Sequence, residues 1–352
     1  MLKKLKTFSE IMDDTFLEIF KSDKKVIMLG LGINDPKKIF NTTTKVCKKF
    51  PERVFDVPIS ENSITGIAIG CSLNNLKSII THQRLDFSLL TVDQIVNQAA
   101  KWYYMFDGKK SVPIVIRLIV GRGWGQGPQH SQSLHSIFSH IPGLKVVMPS
   151  TSRSAKSLMK AAVKDPNPVI FIEHRWLHNL KFKEKISKNI EKLGKAKILK
   201  NGKDITIVSC SYMTVEILRL SSYLTKNSIS HEIIDLQTIS PLDKKTILKS
   251  VKKTKRILIL DVGHKSFGLS SEIIALVTEN LRIKLKTIPQ RIANPDTPTP
   301  TSHVLSKKYY PTKYEICLKI FEMCGKIKKI NRKDFPEDKY SDQPFKEFTG
   351  PF

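Results

Sequence analysis

The chain has 352 residues, of which 40% are hydrophobic and 26% are charged. This balance is that of a soluble globular protein, so it excludes a small disulfide-stapled scaffold and a disordered tail. At the usual size of about 150 residues per domain, the length predicts two domains.

The charge of the chain is strongly positive, with 59 Lys and Arg against 32 Asp and Glu and a formal net charge of +27. A nucleic-acid-binding protein would concentrate such an excess in one patch. Here the lysines are spread along the whole chain, and lysine on solvated faces explains the excess at least as well. Nucleic-acid binding is therefore the less favoured interpretation.

The cysteines and the apolar runs bear on the location of the protein. The five cysteines are odd in number and lack CxxC or Cys/His spacing, so neither a disulfide framework nor a zinc site is predicted. No apolar run approaches the roughly 18 residues of a membrane span. The first residues lack the apolar middle of a signal peptide. These features predict a cytoplasmic protein with reduced, buried thiols and no membrane association.

Short apolar, β-branched runs alternate with helical patterns in the first half of the chain. A helix is predicted over 91–106, where Thr91 and Gln94 have capping-box spacing and an apolar stripe follows. Another is predicted over 152–164, before a proline. This alternation predicts a largely parallel sheet covered on both faces. The predicted strands are residues 25–29, 78–81, 114–120, 145–148 and 169–172.

A Lys/Glu-rich stretch at 179–197 is predicted to link this first unit to a second βα series. A proline-rich turn at 293–300 follows that series, and the chain after Gly325 is predicted to be an extended arm. The predicted strands of the second series are residues 205–209, 231–236, 256–261 and 286–292. The expected fold class is α/β with two doubly wound domains, residues 1–185 and 186–328, and a C-terminal tail at 329–352.

The common phosphate-binding and hydrolytic motifs are absent. The glycine-rich run at 121–127 follows a strand but is not GxGxxG, and there is no P-loop, GxSxG or HExxH. Three residues stand out instead: Glu61 in the first turn of a helix, Phe87 after a strand, and His130 behind the glycine-rich run. Each by itself also fits a structural role, as a helix-end charge, a core aromatic and a loop histidine.

Several longer motifs, taken in order, indicate a family. The first half contains VFDVPISENSITGIAIG, DFSLLTVDQIVNQAAKWYYM, GPQHSQS, IPGLKVVMPS and KAAVKDPNPVIF, and the second half contains LGKAKIL, DITIVS, DLQTISPLD and ANPDTPTP. Together they closely resemble the beta subunit of thiamine-diphosphate-dependent 2-oxoacid dehydrogenases, such as the pyruvate and branched-chain enzymes. The resemblance implies an N-terminal pyrimidine-binding domain followed by a transketolase-type C-terminal domain.

The resemblance also implies roles for individual residues. Glu61 matches the carboxylate that hydrogen-bonds the aminopyrimidine ring of the cofactor and activates it. Phe87 matches the aromatic ring that stacks on the pyrimidine, and Ile59 matches a flanking apolar contact. His130 matches the active-site histidine that helps to orient and protonate the acyl acceptor or the intermediate. Gln83 is a further cofactor-binding candidate at the same strand end as Phe87.

Metal sites and partners are implied in the same way. The family's potassium loop maps onto the backbone carbonyls of Ile114, Ala162, Asp165 and Asn167. The family holds Mg²⁺ and the cofactor diphosphate with a Gly-Asp-Gly motif followed by an Asn pair, and no such motif precedes Asn74-Asn75. The resemblance therefore implies that an alpha subunit supplies this half of the site in an α2β2 heterotetramer, and that the chain alone is inactive.

Two departures from the family pattern concern its partners. The family has an acidic residue after the first strand, whereas this chain reads Gly30-Leu31-Gly32, which puts communication between paired sites in doubt. The charge of +27 would also repel the basic segment of a lipoyl-bearing acyltransferase core. The sequence leaves both docking on that core and independence from it as alternatives, and it does not specify the 2-oxoacid.

Two other functions stay in view. One is the C-terminal half of a split transketolase-like enzyme that transfers a two-carbon unit between sugars, which differs in its acceptor. The other is a basic, non-catalytic binding module for nucleic acid on the same fold, which predicts an affinity that falls steeply with salt.

Overall fold

The computed structural model describes residues 5–123, 125–182, 190–327 and 330–335, and they form two large β-sheets and one small ribbon. The strands are β1 (Lys6–Thr7), β2 (Val26–Gly30), β3 (Val54–Asp56), β4 (Lys77–His82), β5 (Ile114–Val120), β6 (Lys145–Val147), β7 (Val169–His174), β8 (Lys181–Phe182), β9 (Lys197–Lys200), β10 (Ile205–Ser209), β11 (His231–Asp235), β12 (Thr238–Ser240), β13 (Ile257–His264) and β14 (Gln290–Asn294). The α-helices are α1 (Phe8–Ser22), α2 (Lys38–Asn41), α3 (Thr44–Lys49), α4 (Glu61–Leu73), α5 (Trp102–Met105), α6 (His135–Ser139), α7 (Ser152–Lys164), α8 (Ser211–Lys226), α9 (Lys244–Thr254), α10 (Leu269–Asn280), α11 (His303–Tyr309) and α12 (Lys313–Met323). A π-helix spans Gln94–Ala99, and 3₁₀ turns span Pro51–Arg53, Leu85–Thr91, Arg175–Leu177 and Arg332–Asp334.

The first sheet has seven strands in the order β12-β6-β7-β5-β4-β2-β3, and all of them except β12 run parallel. Every residue of β2, β5 and β7 is buried. This is why these strands appear as continuous apolar runs, because both faces of a parallel sheet are covered. The five strands predicted for this half are confirmed, and α7 begins and ends at the predicted residues.

The second sheet has the order β14-β13-β10-β11-β9, with β9 antiparallel. The four strands predicted here are present, although β14 begins four residues later than predicted. Residues 283–289, which come before β14, form no strand. The Lys286 N–H in this segment donates to Lys255 O at 2.8 Å. The expected α/β class with two doubly wound units is confirmed. The predicted boundary between residues 185 and 186 lies outside the described residues.

One strand crosses between the two halves. Strand β12 follows β11 of the second sheet in the chain, yet it pairs antiparallel with β6 at the edge of the first sheet. Next to it, the Met148 N–H donates to Gln237 O at 2.9 Å. A buried side-chain bond adds to this, since Ser150 Oγ donates to Asp235 Oδ1 at 2.7 Å. The two halves are thus joined through backbone and core contacts, which fixes their relative position.

The prediction of one continuous helix over 91–106 is wrong. The chain forms the 3₁₀ turn ending at Thr91, then the π-helix, then the short helix α5. The Thr91 hydroxyl donates to Ser88 O at 2.7 Å. It does not cap a helix, because the residues before it already form a 3₁₀ turn. Of the predicted apolar stripe, Ile95 and Ala99 are buried, whereas Tyr103 is 49% exposed.

The described part of the C-terminal tail also differs from its prediction. Within residues 330–335, Arg332–Asp334 form a 3₁₀ turn and not an extended arm. The Phe335 ring packs against Tyr223 and Tyr314 with centroids 5.0 and 5.7 Å apart, and the Tyr223 hydroxyl donates to Asp334 Oδ2 at 2.7 Å. The aromatic contacts provide the burial that holds this turn to the body of the protein. Residues 336–352 lie outside the described part of the chain.

The structure also bears on the predicted burial of the thiols and on the predicted lack of a membrane span. All five cysteines are free; Cys210 and Cys317 are buried as predicted, and the other three are half-buried. Burial raises the pKa of the Cys317 thiol to about 12, so it behaves as a small apolar core residue. Within the described residues, no helix is both long and apolar enough to cross a membrane.

A buried ion pair links the two central strands β5 and β7. Arg117 and Glu173 are both fully buried, and the guanidinium donates twice to the carboxylate, from Nε at 2.6 Å and from Nη2 at 2.8 Å. His178 Nε2 lies 2.9 Å from the second carboxylate oxygen. Burial alone would raise the pKa of Glu173, but the Arg117 charge and these hydrogen bonds lower it to about 2.

We expect Glu173→Gln to destabilise the chain by about 3–5 kcal/mol at pH 7, because Arg117 keeps its buried charge without a counter-ion. The depressed pKa contributes stability that is complete above 4.5 and is lost as the pH falls towards 2. The variant should therefore show a flatter decline in unfolding free energy over that range. Denaturant unfolding at several pH values measures both effects. The matched control is Glu52→Gln, whose carboxylate is 66% exposed, and an equal loss in both variants would contradict the argument.

The turn after β2 is clamped between the loops that follow β3 and β4. The Gly32 N–H donates to Asp56 Oδ1 at 2.8 Å, and Gln83 Nε2 donates to Leu31 O at 2.9 Å. Gly32 has φ +72°, and a Cβ at this position would lie 2.2 Å from Gln83 Nε2. Both the backbone conformation and the space therefore require glycine.

We expect Gly32→Ala to cost about 1–3 kcal/mol of unfolding free energy, from the left-handed backbone conformation and the displaced Gln83 side chain. Gly66→Ala is the control, since Gly66 lies within helix α4 and a Cβ there meets nothing within 4 Å. That change should be neutral or stabilising by up to about 1 kcal/mol. Thermal unfolding of the two variants side by side measures the difference, and similar midpoints would be inconsistent with the clamp.

Candidate active site

Loops that follow four strands of the first sheet begin at its carboxyl edge. They follow β3, β4, β5 and β7, and parallel strands place all of these loop starts at one edge. In open α/β sheets, this edge is where ligands bind. The loops carry Glu61, Phe87 and His130, three of the residues predicted from the sequence.

Glu61 is the first residue of α4, as predicted, and it is half-buried. The N-cap residue Ser60 makes no side-chain capping bond, so the N-terminus of α4 lacks that usual acceptor. A carboxylate in this first turn is stabilised by the helix dipole. The neighbouring Ile59 is 79% exposed, which is unusual for an isoleucine beside a strand end.

Phe87 and His130 are in ring contact. Their centroids lie 5.3 Å apart with an interplanar angle of 86°, so one ring meets the other edge-on. Phe87 lies in the 3₁₀ turn after β4 and is half-buried, and His130 is exposed on the loop after β5. The structure thus brings together two predicted residues from different loops and leaves ring surface available to a flat ligand.

Asp86, which the sequence analysis did not single out, fastens these two loops to each other. Its Oδ1 accepts hydrogen bonds from Gln132 Nε2 at 2.8 Å and from the Gln132 backbone N–H at 3.3 Å. Its carboxylate is nearly fully buried. A carboxylate four residues after the end of β4 and next to the predicted Phe87 is the sequence signal that could have identified it.

Gln83 has a structural use that its predicted role did not include. Its side-chain amide nitrogen donates to Leu31 O as described above, and its backbone carbonyl accepts a hydrogen bond from Arg84 Nη1 at 2.6 Å. These bonds fix the loop before Phe87. Cofactor binding by Gln83 stays a prediction.

The predicted potassium-binding residues lie at the other end of the sheet. Ile114 begins β5, whose seven residues span about 20 Å, whereas His130 lies beyond its end. The Asp165 N–H donates to Ala162 O at 3.2 Å, the Asn167 N–H donates to Asp165 Oδ1 at 3.0 Å, and Lys145 Nζ lies 2.6 and 2.7 Å from the Asp165 carboxylate oxygens. A potassium ion held here by carbonyls stays a prediction, at a structural and not an active-site position.

A buried pair from the two halves supports the His130 loop from behind. His135 Nε2 lies 3.1 Å from Asp261 Oδ1, and both side chains are fully buried. Asp261 also accepts hydrogen bonds from the Gly263 and Ser270 N–H groups at 2.9 and 3.0 Å. Burial raises the pKa of Asp261, but His135 and these hydrogen bonds together hold it below its ordinary value. The second half of the chain therefore positions the loop that carries His130.

Comparison with known proteins gives a consistent result. The chain matches the family models of the transketolase pyrimidine-binding domain over residues 5–180 and of the transketolase C-terminal domain over residues 194–316. It is 38% identical over 304 residues to the beta subunit of acetoin:2,6-dichlorophenolindophenol oxidoreductase from Cupriavidus necator, which covers 84% of this chain and 90% of that protein. It is 35% identical over 321 residues to the pyruvate dehydrogenase E1 component subunit beta from Rickettsia bellii, with 90% and 98% coverage.

The fold comparison agrees with the sequence comparison. A split-gene transketolase, solved as an inactive β4 tetramer, superposes with a TM-score of 0.74 at 20% identity and covers 90% of this chain and 98% of its own. At this identity the likeness shows the fold. The resemblance predicted from the ordered motifs is confirmed by the two family models and by the identity over most of the chain. This chain belongs to the thiamine-diphosphate-dependent, transketolase-like family that includes the beta subunits of 2-oxoacid dehydrogenases.

Proposed function

We propose that the chain is the beta component of a thiamine-diphosphate-dependent 2-oxoacid dehydrogenase or decarboxylase that transfers the acyl unit of its substrate. The observation that supports this most directly is the contact between Phe87 and His130 at the sheet edge that also carries Glu61. These are the residues to which the family resemblance assigns cofactor and substrate roles.

The residues at this edge fit the pyrimidine half of the cofactor. An aromatic side chain such as Phe87 stacks well on a flat heteroaromatic ring. A carboxylate at a helix N-terminus, as at Glu61, accepts a hydrogen bond from a protonated ring nitrogen. Ile59, with 79% of its surface exposed, offers apolar area for a ligand or a partner chain to cover.

Each side chain has a separate task in the proposed reaction. When bound, thiamine diphosphate supplies the nucleophilic carbon and takes up the electrons released by decarboxylation. Glu61 would hold a proton at the pyrimidine nitrogen, and Phe87 and Ile59 would fix the orientation of the ring. His130, exposed and in contact with Phe87, would donate a proton to the acyl acceptor or receive one from it. Gln83 and Asp86 would keep these loops in register.

The site that this chain builds is one half of a larger one. The family's Gly-Asp-Gly motif for Mg²⁺ and the diphosphate does not precede Asn74-Asn75 in this sequence. We therefore propose that an alpha subunit supplies Mg²⁺ and the diphosphate contacts, in an α2β2 heterotetramer. The relatives are themselves named as beta subunits. Four further predictions stay proposals. They are the domain limits at 185 and 328, potassium at the Asp165 loop, a cytoplasmic location and a lipoyl-bearing acyltransferase partner.

Product analysis after reconstitution with the alpha subunit separates this proposal from the split-transketolase alternative. A 2-oxoacid should be decarboxylated with acyl transfer, whereas turnover of a ketose phosphate with an aldose acceptor would favour the alternative.

A filter-binding salt series with duplex nucleic acid tests the basic binding module. A steep fall of affinity with salt, at a stoichiometry of one site per chain, would support that module.

We expect Glu61→Gln to lower turnover of the reconstituted complex by more than about tenfold, because the near-isosteric amide does not hold the ring proton as a carboxylate does. Folding should be intact, since within the described residues no hydrogen bond that supports the fold depends on the Glu61 carboxylate. Glu52→Gln, an exposed carboxylate before β3, is the matched control and should keep full activity. Unchanged turnover in Glu61→Gln, with thermal stability equal to that of the parent, would rule out the assigned role.

A further inference from the structure

Three hydrogen-bond donors converge on one neutral oxygen beside the candidate active site. Oε1 of Gln126 accepts from Arg175 Nη1 at 2.7 Å, from the Gly123 N–H at 3.2 Å and from Arg84 Nη2 at 3.3 Å. Two of these donors belong to cationic guanidinium groups. Such donors bind a carboxylate or phosphate oxygen about twice as strongly as a neutral acceptor.

The two arginines are buried next to each other. Arg84 is 6% exposed and Arg175 is 2% exposed, and both guanidinium groups lie near the Phe40 ring, 5.2 and 5.0 Å from its centroid. Burial lowers the pKa of Arg84 to about 10, and burial together with repulsion by Arg84 lowers that of Arg175 to about 9. This arrangement of like charges is costly unless a negative charge compensates it.

The hydrogen bonds described for Arg84 go only to neutral oxygens, the Gln83 carbonyl and Gln126 Oε1. Its buried Nε has no hydrogen-bond partner among the described residues. The nearby acid is Asp86, which attracts Arg84 electrostatically. Its Oδ1 is bonded to Gln132, and its buried Oδ2 makes no hydrogen bond to Arg84 or to any other described residue. Arg84 therefore has donor capacity and charge that the chain itself does not fully use.

The backbone next to Gln126 approaches the Arg175 guanidinium closely. Gln126 lies in the glycine-rich segment 121–127, in which Gly121 and Gly125 have φ values of +101° and +60°. A Cβ at Gly123 would lie 2.4 Å from Arg175 Nη1, so glycine is needed for the backbone to approach the guanidinium so closely. Close backbone approach with two guanidinium groups is a common way to bind an anion.

The position of this cluster relates it to the proposed substrate. Arg84 precedes Phe87 on one loop, and Gln126 precedes His130 on the other. Two arginines holding the carboxylate that leaves as carbon dioxide would stabilise the ground state more than the transition state and would slow the reaction. An anionic group bound there would therefore be a second one, separate from the reacting carboxylate.

We propose that Arg84, Arg175 and the Gly123 N–H form an anion-binding subsite for a second anionic group of the substrate, a carboxylate or a phosphate, and that the Gln126 amide oxygen occupies this subsite when no ligand is bound. The identification of the ligand as substrate rests on the proposed function. The anion binding itself does not.

The test measures the binding of inorganic phosphate and of glutarate to the full chain by calorimetry at constant ionic strength. Gln126→Glu places a carboxylate permanently in the subsite, so we expect it to weaken binding by at least about tenfold and to raise the thermal midpoint of the ligand-free chain. Gln126→Ala removes the internal competitor and should bind several-fold more tightly. The probe that binds the parent chain more tightly identifies phosphate or carboxylate as the preferred group.

Gln98→Glu is the matched control, because it makes the same substitution and the same charge change at an exposed position. It should leave the affinity for both probes unchanged. Equal affinity in the parent, Gln126→Glu and Gln98→Glu would show generic attraction to a chain of charge +27 and would overturn the proposal. Absence of measurable binding by the parent and by Gln126→Ala would overturn it as well.

The reconstituted complex separates this proposal from the proposed function. Glu61→Gln should abolish most turnover and leave the binding of phosphate and glutarate intact. Gln126→Glu should raise KM for a 2-oxoacid with a distal anionic group and leave KM for an uncharged analogue unchanged. If KM for both substrates rises equally, the subsite is not used for the second anionic group. If no 2-oxoacid is turned over while calorimetry still shows the Gln126-dependent binding, the proposed function fails and the anion site stands.

Discussion

The parallel arrangement of the first sheet is the constraint on which the site depends. Six of its strands run in one direction, so the loops after them begin at one edge. Glu61, Phe87 and His130 lie far apart in the chain, and this common edge is what brings their loops together. A parallel sheet needs both of its faces buried, and the helices provide this cover.

Two buried arginine environments in the same sheet show how charge is handled in this fold. Arg117 is paired with Glu173 through two short hydrogen bonds, so its charge is compensated within the chain. Arg84, at the functional edge, has an amide oxygen where Arg117 has a carboxylate. An arginine bonded to a carboxylate stabilises the sheet, whereas one whose hydrogen bonds go to neutral oxygens is suited to bind an anion from outside. The proposed anion subsite rests on this difference.

The second half of the chain acts on the site from a distance. His135 and Asp261 form a buried contact that supports the His130 loop, and β12 completes the first sheet. Neither contribution places a second-half residue among the proposed cofactor contacts. Its proposed role is to hold the loops in position, while an alpha subunit would close the open side near Ile59.

The sequence by itself determined the strands, the helix α7, the position of Glu61 in a first helical turn and the family, because continuous apolar runs, capping patterns and ordered motifs are local signals. Only the tertiary structure decided that Phe87 meets His130, that β12 leaves its own half, and that Arg84 and Arg175 share one oxygen. It also broke the predicted helix 91–106, since the turn before Thr91 depends on its packing against α4. These features arise from contacts between residues distant in the chain, and neither periodicity nor local propensity encodes such contacts.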